Sequence, residues 1–148
     1  MRPAPLVLAA IALSACGGGT DRLSKQELAS KASKICIEQA TTIAQIPRGP
    51  ANPVNAAGYL GAVLSVYEKA IKRFHELKPP RDEQTLYRTY LRELDRNANI
   101  LRTLRAAAAS QQLKAYVTGQ ADLHRSRVRL ARLQRRLGFT GCAGPGSK

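Results

Sequence analysis

Apolar residues in the middle of this chain recur every three or four positions, and prolines separate one such run from the next. Because about 3.6 residues make a helical turn, this spacing places the apolar side chains of one run on one face of an α-helix. The clearest run comprises Leu60, Val63, Leu64, Tyr67, Ala70, Ile71, Phe74 and Leu77. It is followed by Pro79-Pro80, which ends helix two. Trp is absent and Val, Ile and Thr never alternate over a strand's length, which argues against a β-sandwich or barrel.

Two more helices flank this run. Ser24 and Glu27 have the spacing of a capping box, so helix one is predicted to start there, and the prolines between positions 47 and 53 end it. Its apolar positions are Leu28, Ala32, Ile35, Ile43 and Ile46. Asp82 and Glu83 are expected in the first turn of helix three, where carboxylates favour the positive end of the helix dipole. The apolar positions of helix three are Leu86, Tyr90, Leu94, Ala98, Leu101 and Leu104.

A fourth helix is predicted to end at Gly138, since glycine commonly closes helices. Its apolar positions are Leu113, Val117, Leu130, Leu133 and Leu137. The sequence leaves two alternatives for the junction before it: Ser110 as a cap of helix four, or Gly119 as a kink or as the junction itself. Four helices with short connections favour an all-α, antiparallel up-down-up-down four-helix bundle over residues 24–143. The length suits one domain, and residues 144–148 form a tail that is expected to be disordered.

The amino terminus has the pattern of an export signal. Arg2 precedes an apolar run from Leu6 to Leu13 that is about half the ~20 residues needed to span a bilayer. The residues Leu13-Ser14-Ala15-Cys16, followed by three glycines, resemble the lipobox of bacterial lipoproteins. This resemblance implies a signal peptide at residues 1–15, a lipid-modified Cys16, a flexible tether over residues 16–23 and an extracytoplasmic location at the cell membrane. The alternative is an ordinary signal peptide cut elsewhere, with Cys16 incidental.

The mature region is similar to small uncharacterised helical lipoproteins of high-G+C Gram-positive bacteria. The likeness lies in the Leu77-Lys78-Pro79-Pro80 break, in the helix from Tyr87 to Leu94 and in Leu137-Gly138-Phe139 with Cys142. It implies the helical architecture and supplies no activity.

Cys36 and Cys142 are an even pair of cysteines in a chain with an export signal, and oxidising compartments favour disulfides. We expect them to be bonded, with free buried thiols or a metal site as the alternatives. Closing a loop of ~100 residues contributes about 4.7 kcal/mol in the chain-entropy model. Such a bond would tie the last segment to helix one.

Candidate catalytic chemistry is sparse. His75 and His124 are the only histidines, and neither stands in a motif for nucleophilic, di-iron or haem chemistry. His75 is expected to be partly exposed near the end of helix two, and His124 to be half-buried, since Val117 and Val128 share its helical spacing. The chain is therefore predicted not to be an enzyme and to hold no cofactor or metal.

The excess positive charge offers a candidate binding surface. The chain has 24 Lys and Arg against 10 Asp and Glu, and no acidic residue follows Asp122. Arg125, Arg129, Arg132 and Arg136 share one face of helix four. This face is either simply solvated or attracts anionic lipid headgroups, anionic envelope polymers or an envelope protein. Nucleic acid is not expected as a partner, because the chain has an export signal and few aromatic residues.

Two functions follow as hypotheses. The first is a membrane-tethered, non-enzymatic interaction module at the cell envelope. The alternative is a carrier or sensor of a small apolar ligand, with a pocket between helices two and three lined by Tyr59, Tyr67, Tyr87 and Tyr90.

Overall fold

The computed structural model describes residues 21–48 and 53–142, and within them the chain is an all-α four-helix bundle without strands. The helices are α1 (Lys25–Ala44), α2 (Pro53–Glu76), α3 (Gln84–Ala109) and α4 (Leu113–Leu137), followed by a short 3₁₀ helix, η1 (Thr140–Cys142). The predicted fold class is confirmed. The signal peptide at 1–15, Cys16 and the tail at 144–148 lie outside the described residues.

The capping box predicted at the start of α1 is present. The Glu27 amide donates to Ser24 Oγ at 3.2 Å, and the Ser24 amide donates to Glu27 Oε2 at 2.8 Å. These bonds with the backbone and hydroxyl of Ser24 lower the pKa of Glu27. Two amides at the helix start, which have no partner within the helix, are thereby satisfied.

The predicted start of α3 is about two residues too early, because Glu83 is the residue that caps the helix. Asp82 and Glu83 precede the helix, which begins at Gln84, and no acidic residue lies in its first turn. Glu83 is instead buried and forms an ion pair with Lys25 of α1 at 2.5 Å. Its carboxylate therefore joins two helices, which sequence spacing within one helix does not reveal.

The junction between α3 and α4 lies at Ser110, not at Gly119, and Ser110 closes α3 instead of capping α4. The Gln112 amide donates to Ala107 O at 2.8 Å, and the Gln111 amide donates to Ala108 O at 3.1 Å. These two bonds form a Schellman motif, with Gln111 in the left-handed conformation at φ 55° that glycine usually takes.

Gly119 lies within α4 and is buried. A Cβ there would lie 2.9 Å from Leu104 Cδ2, so this glycine allows α4 to approach α3 closely.

Neighbouring helices pack unequally. α3 packs extensively against α2 and α4, whereas α1 contacts α2 and η1. Residue pairs along α2 and α3 run in opposite order, from His75–Asp95 to Glu68–Arg102, so these two helices are antiparallel. The full up-down-up-down order of the four helices stays a prediction.

The interior has two parts. The disulfide-end core contains residues of all four helices and includes Leu28, Ile35, Phe74, Tyr87, Tyr90, Leu94, Leu130 and Phe139. The far-end core draws only on α2, α3 and α4 and comprises Leu60, Leu64, Ala98, Leu101, Leu104, Ala108 and Leu123. No residue of α1 reaches the far-end core, because the buried positions of α1 end at Cys36.

The disulfide end is closed by the predicted bond between Cys36 and Cys142, which spans 106 residues with a Cα–Cα distance of 4.9 Å. Next to it, the Gly141 amide donates to Ser33 Oγ at 3.2 Å. A Cβ at Gly141 would lie 2.7 Å from the Ser33 carbonyl oxygen, so only glycine lets η1 dock this closely on α1. Because Cys36 and Cys142 are bonded to each other, the alternatives of a metal site and of free thiols are excluded for them.

Candidate ligand cavity

A cavity of about 950 Å³ opens between the second half of α1 and the other three helices. This size lies at the upper end of the ~300–1,000 Å³ typical of small-molecule sites. Ile43, predicted as a core residue of α1, is only half-buried because it lies on this cavity. The apolar lining residues include Ile43, Leu60, Val63, Leu94, Leu101, Leu123 and Leu130.

Tyrosines supply polar groups to this lining. Tyr67 and Tyr90 both contribute, and burial raises the pKa of each phenol far above its ordinary value. Arg127 favours ionisation of Tyr67, so it lowers the pKa of that group, but burial dominates. Both hydroxyls therefore stay protonated at neutral pH and can act as hydrogen-bond donors.

The Tyr90 hydroxyl is fully buried and has no hydrogen-bond partner among the described residues. Gln134 lowers the pKa of this phenol against the larger effect of burial, but no hydrogen bond within 3.5 Å joins the two groups. A buried polar atom without a partner costs about 1–3 kcal/mol. The floor of the cavity thus lies over a buried polar group that lacks a partner when no ligand is bound.

The lining is positively charged. Arg48 and Arg127 are its only ionisable groups apart from tyrosine, and no carboxylate occurs among the described residues that line it. Neither arginine forms an ion pair or hydrogen bond within the part of the chain that the structure describes. An unpaired guanidinium beside an apolar cavity is suited to an anionic group.

Three of the four tyrosines named from the sequence meet at this cavity. Tyr59, Tyr67 and Tyr90 line it, while Tyr87 does not. Tyr87 belongs to the disulfide-end core, where its hydroxyl donates to Phe74 O at 2.6 Å. The cavity also extends to α1 and α4, so the expectation of a pocket between helices two and three is too narrow.

The arginines of α4 divide into two pairs. Arg125 pairs with Asp122 at 2.6 Å, and Arg129 pairs with Glu93 of α3 at 2.9 Å. Arg132 and Arg136 are exposed and have no ion pair among the described residues. The stripe predicted as one surface therefore offers two free guanidiniums instead of four.

Arg129 also belongs to a polar network that sequence reasoning missed. Ser126, which is fully buried, donates to Glu93 Oε1 at 2.8 Å, and Asn97 Nδ2 donates to Ser126 Oγ at 3.1 Å. The network joins α3 to α4 between the two cores. Its signal in the sequence is weak. Glu93 and Asn97 are four residues apart and Ser126 and Arg129 are three apart, and both spacings are ordinary on exposed helix surfaces.

Both histidines lie at the surface of the bundle. His75 is half-exposed and lies 3.4 Å from Asp95 Oδ1, in keeping with its predicted structural role. His124 is exposed, as are Val117 and Val128, so the prediction of a half-buried His124 is wrong: that flank of α4 faces solvent. Within residues 21–48 and 53–142, no three His, Cys, Asp or Glu side chains lie close enough to hold a metal ion.

Comparison with known proteins gives no assignment: no family model matches the chain, and neither do the curated proteins or the solved structures that were compared with it. None of the described helices has the length and apolar character that a membrane span requires.

Proposed function

We propose that this protein is a lipid-anchored, extracytoplasmic, non-enzymatic binding module that takes up a small, largely apolar molecule in the cavity beside α1. The observation that carries this proposal is the cavity of about 950 Å³, whose apolar lining is interrupted by a few tyrosines and by Arg48 and Arg127. A large apolar cavity with a few convergent polar groups is the usual form of a ligand site. Of the two functions expected from the sequence, the geometry supports the carrier or sensor better than the surface-interaction module.

The position of the cavity supports uptake. One wall is the second half of α1, which has no buried residue after Cys36, while the first half is held by the core and the disulfide. A wall with few buried contacts opens at a low free-energy cost, and such segments commonly admit ligands. The disulfide anchors this wall at one end, so the rest of the bundle need not unfold when a ligand enters.

The test is to fill the cavity. The full-length protein is purified from its own membranes, and bound small molecules are measured by native mass spectrometry. Ala131 lies on the cavity wall of α4, and Ala131→Trp places an indole in the space that a ligand would take. We expect the occupancy to fall about tenfold or more, which corresponds to about 1.4 kcal/mol of binding free energy.

Ala62→Trp is the matched control, because Ala62 is exposed on α2 and lies outside the cavity lining. Its occupancy should equal that of the wild type, and circular dichroism should show the same helix content in all three proteins. A wild-type protein without any bound small molecule, or an Ala131→Trp variant that keeps full occupancy, contradicts the proposal.

The anchor and the location are the second part of the proposal. They are supported by the lipobox-like residues around Cys16 and by the Cys36–Cys142 disulfide, since such bonds persist in oxidising compartments. Acyl chains on Cys16 would hold the bundle at the membrane surface, because each buried CH₂ contributes about 0.8 kcal/mol.

Cys16→Ser tests this part. We expect the wild-type protein to fractionate with membranes and to show an amino-terminal mass increased by acyl groups. The variant should lack both properties. An unmodified thiol at Cys16 in the native protein, or an uncleaved chain in the cytoplasm, contradicts the anchor and the location.

A second candidate function is contact with anionic lipid headgroups, and the observation that favours it is the pair of free guanidiniums on α4. Arg132 and Arg136 lie one turn apart on an exposed face and have no acidic partner among the described residues. Each basic group near an anionic surface contributes about 1 kcal/mol.

The double variant Arg132→Gln/Arg136→Gln tests this candidate by co-sedimentation with anionic vesicles at low and at high salt. It should lose most of the salt-sensitive binding, whereas Arg125→Gln, whose arginine is paired with Asp122, should lose little. Equal binding by all three proteins rules the candidate out.

A further inference from the structure

Resting on the function proposed above, we infer that the cavity takes a single-chain amphiphile whose carboxylate is held by Arg127 and whose chain lies along the apolar lining. Three properties of the cavity support this ligand class: the positive charge of its lining, the hydrogen-bond donors it offers and its length.

Charge is the first step. Arg127 lines the cavity from α4, and the lining contains no carboxylate among the described residues. Two acids of α3 whose charges act on the cavity residue Tyr67 have other partners: Glu93 pairs with Arg129, and Asp95 lies beside His75. Among the described residues, Arg127 therefore has no counterion, which disfavours a cationic ligand and favours an anionic one.

The donors near Arg127 are the second step. Tyr67 and Arg127 both line the cavity, and the Tyr67 phenol keeps its proton because burial raises its pKa. A guanidinium and a neutral hydroxyl in the same lining offer donors and no negatively charged acceptor, and such donors bind a carboxylate, with the guanidinium forming charge-assisted hydrogen bonds.

The shape of the apolar lining is the third step. Along α4 the lining extends from Leu123 to Gln134, which at about 1.5 Å per residue is on the order of 16 Å. Arg127 lies within this length and is exposed, whereas the leucines around it are buried. An anionic head can therefore sit at the solvent side while an extended apolar chain enters between the helices.

The energetics favour an anion over its neutral analogue. A ligand that covers Arg127 without pairing with it removes water from a charged group, which costs free energy that a neutral alcohol cannot recover in full. A carboxylate restores the lost hydration with charge-assisted hydrogen bonds. The difference between the two head groups is thus a direct measure of the role of Arg127.

The experiment uses photoactivatable diazirine analogues of myristic acid and of myristyl alcohol, added to native membranes that contain the full-length protein. After irradiation, mass spectrometry locates and quantifies the labelled residues. In the wild type we expect the acid to label cavity residues about tenfold more than the alcohol. In Arg127→Gln, acid labelling should fall to the alcohol level, and Arg127→Lys should restore part of it.

Arg135→Gln is the matched control, since Arg135 is on the same helix, is exposed, has no ion pair among the described residues and lies outside the lining and outside the Arg132–Arg136 pair. Acid labelling of this control should equal that of the wild type. An equal loss of acid labelling in both glutamine variants would indicate a general effect of charge and would overturn the inference. If acid and alcohol label the cavity equally, the inference fails while the proposed function stands. If neither labels any cavity residue, the proposed function and the inference both fail.

Discussion

The two ends of the bundle are built on different plans. At the disulfide end, aromatic rings pack edge to face, with Tyr90 at 5.4 Å from both Phe74 and Phe139, and the Cys36–Cys142 bond holds α1 in place. At the far end the core is almost wholly aliphatic and α1 takes no part in it. Because α1 is held along only its first half, the chain combines a fixed end with an open cavity.

The largest expected effect concerns the bond that fixes the closed end. The double variant Cys36→Ala/Cys142→Ala should lower the free energy of unfolding by about 4 kcal/mol, since the bond closes a loop of 106 residues. Thermal unfolding followed by circular dichroism measures this loss. A melting temperature equal to that of the wild type would mean that α1 is held by packing alone and would remove the distinction between the ends.

Next in size is a matched pair on α1. Ile35 is buried in the disulfide-end core, whereas Ile43, two turns further on, is half-buried at the cavity. Ile35→Ala should therefore cost about 3 kcal/mol, and Ile43→Ala less than about 1 kcal/mol, although both remove the same atoms. Denaturant unfolding measures both values. Equal costs would show that the two halves of α1 are packed alike.

This pair also marks how far the sequence predicts the fold. Apolar spacing alone put Ile35 and Ile43 on the same face of helix one, and both were expected in the core. The spacing correctly predicts which face of the helix each residue occupies. It does not predict whether a neighbouring helix covers that face at a given position along the helix axis. The cavity depends on how α1 packs against the other helices, so it could not be predicted from the apolar spacing of any one helix.

Other features divide in the same way. Local signals, such as the Ser24–Glu27 capping box, were predicted because all their atoms lie within one turn. The disulfide was predicted because only two cysteines remained after Cys16. Glu83 with Lys25, and Glu93 with Arg129, were missed because their partners lie on other helices and depend on the packing.

The turns that end α3 and α4 lie at opposite ends of the bundle and differ in the residue that takes the left-handed conformation. α4 ends at Gly138 with φ 74°, while α3 ends with Gln111 at φ 55° in the same type of motif. Left-handed backbone costs a residue with a Cβ about 1–2 kcal/mol, and glycine avoids this cost. Gln111→Gly should stabilise the protein by about 1 kcal/mol, and Gly138→Ala should destabilise it by about the same amount.

The same contrast explains the ambiguity of the α3–α4 junction. Gly138 predicts the end of α4, because glycine is the usual residue in this turn. Gln111 gives no such signal at the end of α3, so the sequence leaves both Ser110 and Gly119 as candidates for the junction. Chemical unfolding of the two variants checks the argument. A loss of stability in Gln111→Gly would show that the glutamine side chain, and not the backbone conformation, determines the turn.

The smallest expected effects separate a tyrosine of the core from one of the cavity floor. Tyr87 donates a buried hydrogen bond to Phe74 O, so Tyr87→Phe should destabilise the protein by about 1 kcal/mol. The Tyr90 hydroxyl is buried without a partner, so Tyr90→Phe should stabilise the ligand-free protein by up to about 1 kcal/mol. Removing one oxygen atom at each of these two positions, which lie one helical turn apart, should therefore change the free energy of unfolding in opposite directions.

Thermal unfolding of delipidated protein gives both values, and adding the photoactivatable acid analogue without irradiation extends the comparison. If an oxygen atom of a ligand reaches Tyr90, the gain from Tyr90→Phe should shrink or reverse in the presence of that analogue, because the wild type then regains a hydrogen bond that the variant cannot form. A destabilised Tyr90→Phe without ligand would instead show that Gln134 satisfies the hydroxyl. The cavity floor would then be as well paired as the core beneath it.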